Sequence, residues 1–131
     1  MNLALPLDGV RILVAEDEFF VSELIVDALQ SFGADVVVSV SRVDKLIQTV
    51  VDNPPDAATL DINLRGEYVY PALPILRKRQ IPFIFVTAYK ELPGCPENTE
   101  AVPRVAKPFQ ARKLADTLAH AIRRQNDMSS N

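Results

Sequence analysis

The chain has 131 residues, 48% hydrophobic and 24% charged, the balance of one soluble globular domain with a single core and no space for a second, output-type domain. Its 14 basic and 17 acidic residues give a net charge of −3, which argues against a nucleic-acid surface, and no run approaches the ~18 apolar residues of a membrane helix. A single cysteine, Cys95, excludes an intramolecular disulfide framework. It points to a reducing compartment, and the first eight residues lack a secretion-signal pattern, so a cytoplasmic location is expected.

Apolar runs alternate with helix-period segments, the pattern of βα units that fold into a parallel sheet covered on both faces. A short leader, residues 1–8, precedes a first strand over Arg11 to Ala15. Val21, Leu24, Ile25, Ala28, Leu29 and Phe32 then recur at helical spacing, and Gly33 stops that helix. Val36 to Val40 reads as the second strand. Ser41 and Asp44 resemble a capping pair for a helix whose stripe is Val43, Leu46, Ile47, Val50 and Val51.

Pro54 and Pro55 break the chain before a third strand, Ala57 to Leu60, and a third helix starts near Pro71 and is kept short by Pro74. Ile81 to Thr87 is the fourth strand, with Pro82 confined to its start, and Val105 and Ala106 mark the fifth. The last helix carries Ala111, Leu114, Ala115, Leu118, Ala121 and Ile122 on one stripe, with His120, Arg123 and Arg124 near its carboxyl end, where the helix dipole favours cations. Residues 9–124 thus form the domain and residues 125–131 a polar tail. Between Lys90 and Pro103, where a fourth helix belongs, Pro93, Gly94, Pro96 and Pro103 oppose one; each interior proline costs a helix about 3 kcal/mol, so a loop or one or two short turns is expected.

Functional groups of an open parallel sheet gather beyond the carboxyl ends of its strands. Strand one leaves through Glu16, Asp17 and Glu18, strand three through Asp61, strand four through Thr87 and strand five through Lys107. Each alone has an ordinary explanation as a helix cap, a turn residue or an exposed lysine. Together they set several carboxylates, a hydroxyl and an ammonium on one rim. Carboxylates crowded into a partly dry crevice repel, and a hard divalent cation removes that penalty; Mg2+ suits them, because it takes oxygen ligands and is commonly held by one or two carboxylates plus phosphate oxygens. Asp61 can then attack phosphorus as a carboxylate nucleophile, with Thr87 and Lys107 neutralising the transferred group. The Lys107-Pro108 bond is read as cis, which would aim the lysine inward.

The stretches RILVAEDE, LDINLRGE, PFIFVTAY and VAKPF resemble the receiver domain of two-component response regulators, a likeness that covers about residues 9 to 124. The resemblance implies a flavodoxin-like, doubly wound five-stranded parallel sheet in the order 2-1-3-4-5, with helices on both faces and a short or irregular fourth helix. It makes Asp61 the phosphoacceptor and assigns Mg2+ to Glu16, Asp17, Asp61 and the backbone carbonyl of Asn63, with Asp17 more direct than Glu16. Thr87 and Lys107 contact the phosphoryl group. The PFxFxTxY string and the stretch from Gly66-Glu67 to Pro71 look like the FAT GUY group of stand-alone receivers, which are paired with histidine kinases of the HWE type. The chain departs from that group's Ala-Thr-Gly at Val86-Thr87-Ala88. It also departs from most receivers in having Arg104 where a switch aromatic stands, which leaves Tyr89 as the nearest substitute.

The expected function is therefore a single-domain response regulator, not an enzyme acting on other substrates. It takes a phosphoryl group from a histidine kinase or phosphotransfer protein and either signals through a downstream protein partner or drains phosphoryl groups as a sink. Phosphorylation is expected to reorganise the 88–103 loop, which carries few apolar anchors, and the last helix with that loop is the expected docking face. Two other readings stay open. One is a pseudo-receiver adaptor that is never phosphorylated. The other is an aspartyl-phosphate phosphatase of the haloacid dehalogenase type, disfavoured because Asn63 stands where its general acid would be.

Overall fold

The computed structural model describes residues 5–129 of the chain. In order, its elements are β1 (Arg11–Ala15), α1 (Phe19–Ser31), β2 (Asp35–Val40), α2 (Val43–Asp52), β3 (Ala57–Leu60), β4 (Asn63–Leu64), β5 (Glu67–Tyr68), α3 (Leu73–Lys78), β6 (Phe83–Thr87), β7 (Arg104–Ala106) and α4 (Ala111–Ser129). Five strands form a parallel sheet in the order β2-β1-β3-β6-β7, while β4 and β5 make a separate antiparallel hairpin. With β6 and β7 as the fourth and fifth main strands, this is the flavodoxin-like order 2-1-3-4-5.

The central strands β1, β3 and β6 are buried on both faces, which is why they read as continuous apolar runs rather than alternating ones. One side of the sheet joins Leu13, Leu60 and Phe85 to α2 and α3 through Leu46, Val50 and Leu76. The other joins Ile12, Val14 and Ile84 to α1 and α4 through Ile25, Leu29, Leu114 and Leu118. No helix among the described residues is long and apolar enough to cross a membrane.

The irregular segment appears where the prolines put it: residues 88–103 contain turns and bends but no helix. It is better anchored than its composition suggests. Leu92 and Val102 pack against the core, Thr99 is fully buried, and the Tyr70 hydroxyl donates to the Pro93 carbonyl at 2.7 Å.

Several local expectations are corrected. Leu24 is 59% exposed and Ser22 takes the buried position, because the inward line of α1 runs through Ser22, Ile25 and Leu29, leaving Phe19, Phe20 and Leu24 in solvent. Ser41 does not cap α2; Arg42 occupies that position with no side-chain cap, and the Asp44 carboxylate accepts from the Lys45 amide instead. The leader is partly core, since Leu7 is fully buried and its amide donates to Phe32 O at 3.0 Å. Its crossing requires Gly33: with φ +99°, a Cβ there would sit 2.9 Å from the Asp8 Cα.

The expected polar tail is helical through Ser129, because extending a formed helix costs little for residues such as Gln, Arg and Met. His120, Arg123 and Arg124 consequently lie inside α4 rather than in its last turn, and His120 is a solvent-exposed side chain. Residues 1–4, 130 and 131 of the leader and tail lie outside the described residues.

Candidate metal and phosphoryl site

Parallel pairing continues one residue past β1, β3 and β7. The Glu16 amide donates to Val40 O at 2.9 Å, the Asp61 amide to Ala15 O at 2.9 Å and the Lys107 amide to Thr87 O at 3.0 Å. These extensions carry the strand exits to one rim. Asp17, Asp61, Asn63, Thr87, Tyr89 and Lys107 accordingly share a cavity of about 290 Å³.

At its centre is the Lys107 ammonium, 2.6 Å from Glu16 Oε1 and 2.8 Å from Asp61 Oδ2. The Glu16 side chain is wholly buried, and its second oxygen accepts from the Glu18 amide at 3.1 Å. Burial pushes the Glu16 carboxyl above its ordinary value, although the hydrogen bonds from Lys107 and the Glu18 amide pull the other way. Burial also opposes the charge on Lys107, but the hydrogen bonds and charges of Asp61 and Glu16 together outweigh it and raise the lysine.

Asp61 Oδ1 accepts from the Ile62 amide at 2.7 Å. Asp17, half-buried, accepts from the Arg65 amide at 3.0 Å, which ties the hairpin to the exit of β1. That hairpin escaped the sequence reading, and its turn is the signal that could have found it. Arg65 and Gly66 both have positive φ, 54° and 88°, the requirement of a tight two-residue hairpin loop, and Asn63 Oδ1 accepts from the Gly66 amide at 2.8 Å.

Glu16, Asp17 and Asp61 each bring an oxygen within 4.8 Å of the others. This donor set fits a hard cation such as Mg2+. Both oxygens of Glu16 and both of Asp61 already accept hydrogen bonds, whereas Asp17 keeps one oxygen with no partner among the described residues, so Asp17 is the ligand that fits directly, and Glu16, whose side chain is wholly buried, is the least accessible of the three. Glu18 is exposed and outside this cluster.

Thr87 is buried, and its Oγ1 accepts from the Tyr89 amide at 3.2 Å. The Tyr89 ring is 39% exposed, on the surface rather than in the core. Arg104 is exposed and donates through Nη1 to Lys90 O at 3.1 Å, so it latches the start of the irregular segment to β7. The Lys107-Pro108 peptide is cis.

A doubly wound sheet with an acidic triad, a buried threonine and an inward lysine at its strand exits defines the class as a flavodoxin-like α/β domain whose site lies beyond the carboxyl ends of its strands. Residues 12–119 match the model of the response regulator receiver domain, and the chain belongs to that family. It is similar to the receiver domain of the Erythrobacter litoralis response regulator PhyR, with 31% identity, 91% of this chain and 94% of that one covered, and a TM-score of 0.77. The response regulator PhyR from Brucella abortus gives 25% identity and a TM-score of 0.80 over 95% of this chain and 52% of that one. Among curated proteins, the sensory transduction protein LytT of Bacillus subtilis is 23% identical over 82% of this chain and 46% of its own length. The transcriptional regulatory protein PdtaR of Mycobacterium tuberculosis is 23% identical over 92% of this chain and 60% of its own length, so the chain spans about half of each of these relatives.

Proposed function

We propose that this receiver accepts a phosphoryl group on Asp61 in a Mg2+-dependent reaction and signals through a protein partner. The observation that carries this reading is the meeting of Glu16, Asp17 and Asp61 with the Lys107 ammonium at 2.6 and 2.8 Å, groups drawn from three separate strand exits. In the transfer, an Asp61 oxygen forms the new bond to phosphorus as the bond to the donor histidine nitrogen breaks, and that nitrogen keeps the electron pair. Lys107 holds a positive charge beside the acceptor, and the Thr87 hydroxyl, whose oxygen accepts from the Tyr89 amide, keeps its own hydrogen to donate to a phosphoryl oxygen. Asp17, Asp61 and the Asn63 carbonyl would hold Mg2+, which would supply charge neutralisation for the incoming oxygens.

The donor is a histidine kinase or phosphotransfer protein, and the cytoplasm is the compartment that fits a lone cysteine. Membership of the FAT GUY group, and with it an HWE-type kinase, is supported by the helix-free 88–103 segment and the PFxFxTxY string. Because Arg104 latches that segment where other receivers place an aromatic, the Thr87–Tyr89–Lys90–Arg104 connection is the route by which phosphorylation reorganises it.

Acetyl phosphate with Mg2+, followed by intact mass, tests the assignment. Addition of one phosphoryl group to the wild type but not to Asp61→Asn is expected. Absence of addition to either leaves a non-phosphorylated adaptor, and turnover of a small phosphomonoester points to the phosphatase reading.

A further inference from the structure

Resting on the reading that output passes through a protein, we propose that the cleft between the end of α3, the start of β6 and the last turns of α4 docks a short acidic segment of that partner. The segment would carry carboxylates on both sides of a large apolar side chain. The cleft encloses about 260 Å³, room for one or two side chains rather than a cofactor. It lies at the amino ends of the strands, where Phe83 opens β6 and Pro103 precedes β7, the opposite end of the sheet from Asp61.

Its apolar lining includes Phe83, Val102 and Ala121, with Met128 67% exposed at the rim. The charged side chains that line it are Arg77 and Arg124, and no carboxylate joins them among the described residues. The Arg77 guanidinium sits 5.8 Å from the centroid of the Phe83 ring, a cation–π contact that holds it against the cleft wall. Arg124 is exposed and makes no ion pair among the described residues. Two arginines with no carboxylate in the lining make the cleft locally positive on a chain whose net charge is −3.

Guanidinium groups beside an apolar floor complement a carboxylate next to an apolar anchor: the ion pairs orient the segment and the buried side chain supplies affinity. A nucleic acid or an anionic lipid gains little here, because a phosphate array needs a longer row of cations and makes no use of the floor. One wall of the cleft is built by residues 98–103, the far end of the segment whose near end is tied to Thr87 through the Tyr89 amide. Docking and phosphorylation therefore act on the same stretch of chain.

The test titrates the full 15N-labelled chain with acetyl-Asp-Asp-Leu-Phe-Asp-Asp-amide, with its all-lysine counterpart, with a version in which Gly-Ser replaces Leu-Phe, and with a thymidine hexanucleotide. Saturable amide shifts around residues 81–83, 98–103 and 121–128 are expected with the first probe alone. Arg124→Glu should weaken that binding at least tenfold, and Met128→Gln should weaken it several-fold, while both variants keep the wild-type spectrum elsewhere and still accept a phosphoryl group from acetyl phosphate. Equal shifts from the lysine or glycine-serine peptide, stronger binding of the hexanucleotide, or an unchanged affinity in Arg124→Glu overturns the proposal. Failure of wild-type phosphorylation with intact peptide binding overturns the phosphoacceptor reading and leaves the cleft standing.

Discussion

The Glu16 side chain is wholly buried and one lysine balances it, which makes Lys107 a structural counter-ion as well as the proposed phosphoryl contact. Replacing it by Met leaves two carboxylates facing each other across a part-buried crevice. Removing one partner of a fully buried pair costs about 3–5 kcal/mol; Lys107 and Asp61 keep some solvent contact, so a loss of about 1–2 kcal/mol at neutral pH is expected for Lys107→Met, measured by urea unfolding. The sign with pH follows from the raised lysine. Its contribution is complete below the ordinary value of 10.5 and disappears as pH climbs through the higher folded value, so the gap between wild type and variant should close only in strong alkali. A gap that is unchanged there would show that lost packing, not charge, was measured.

Thr59, in the middle of β3, is the reverse case. Its hydroxyl is buried with no hydrogen-bond partner among the described residues, so Thr59→Val, which keeps the shape and removes the orphan group, should stabilise the protein by about 1 kcal/mol. A lower urea midpoint in that variant would mean that the hydroxyl does find a partner.

At the scale of elements, the candidate site and the irregular segment are joined on two sides. The Asp61 strand exit runs into the β4–β5 hairpin, whose tip is bound to Asp17 through the Arg65 amide, and Tyr70 just beyond it holds Pro93. Tyr70→Phe deletes that hydrogen bond at a cost of about 1 kcal/mol and should speed amide exchange across residues 90–96 while leaving α1 and α4 protected. Uniform acceleration everywhere would mean that the bond supports the whole fold and not the segment.

The hairpin also shows where reading residues in order runs out. Prolines act on their own position, so the missing fourth helix could be seen at Pro93, Pro96 and Pro103 without any partner. Two-residue strands such as Asn63–Leu64 and Glu67–Tyr68 have no periodicity to detect, and they form because each finds the other across the Arg65-Gly66 turn. Leu7 was invisible for the same reason: a single apolar residue becomes core only when the end of α1 arrives to cover it. The site fared better, since parallel topology sends every strand exit to one rim, and Glu16, Asp17, Asp61, Thr87 and Lys107 could be placed there by counting strands.

For the molecule as a whole, net charge and site charge have different consequences. A surplus of three negative charges spread over the chain is modest, but three carboxylates within 4.8 Å with one lysine leave a local excess that folding must tolerate. A cation that binds the folded site and not the unfolded chain stabilises by mass action, so millimolar Mg2+ should raise the unfolding midpoint by an amount equivalent to about 1–3 kcal/mol. Asp17→Asn should abolish the increment, and an equal increment in that variant would place the ion elsewhere. The crossing of the leader over Gly33 bears on what the fold tolerates. A side chain there would have to push back the backbone of the incoming chain and adopt a left-handed conformation as well, so of twenty genetic choices at that codon, a selection for folded protein should return glycine far above the rest.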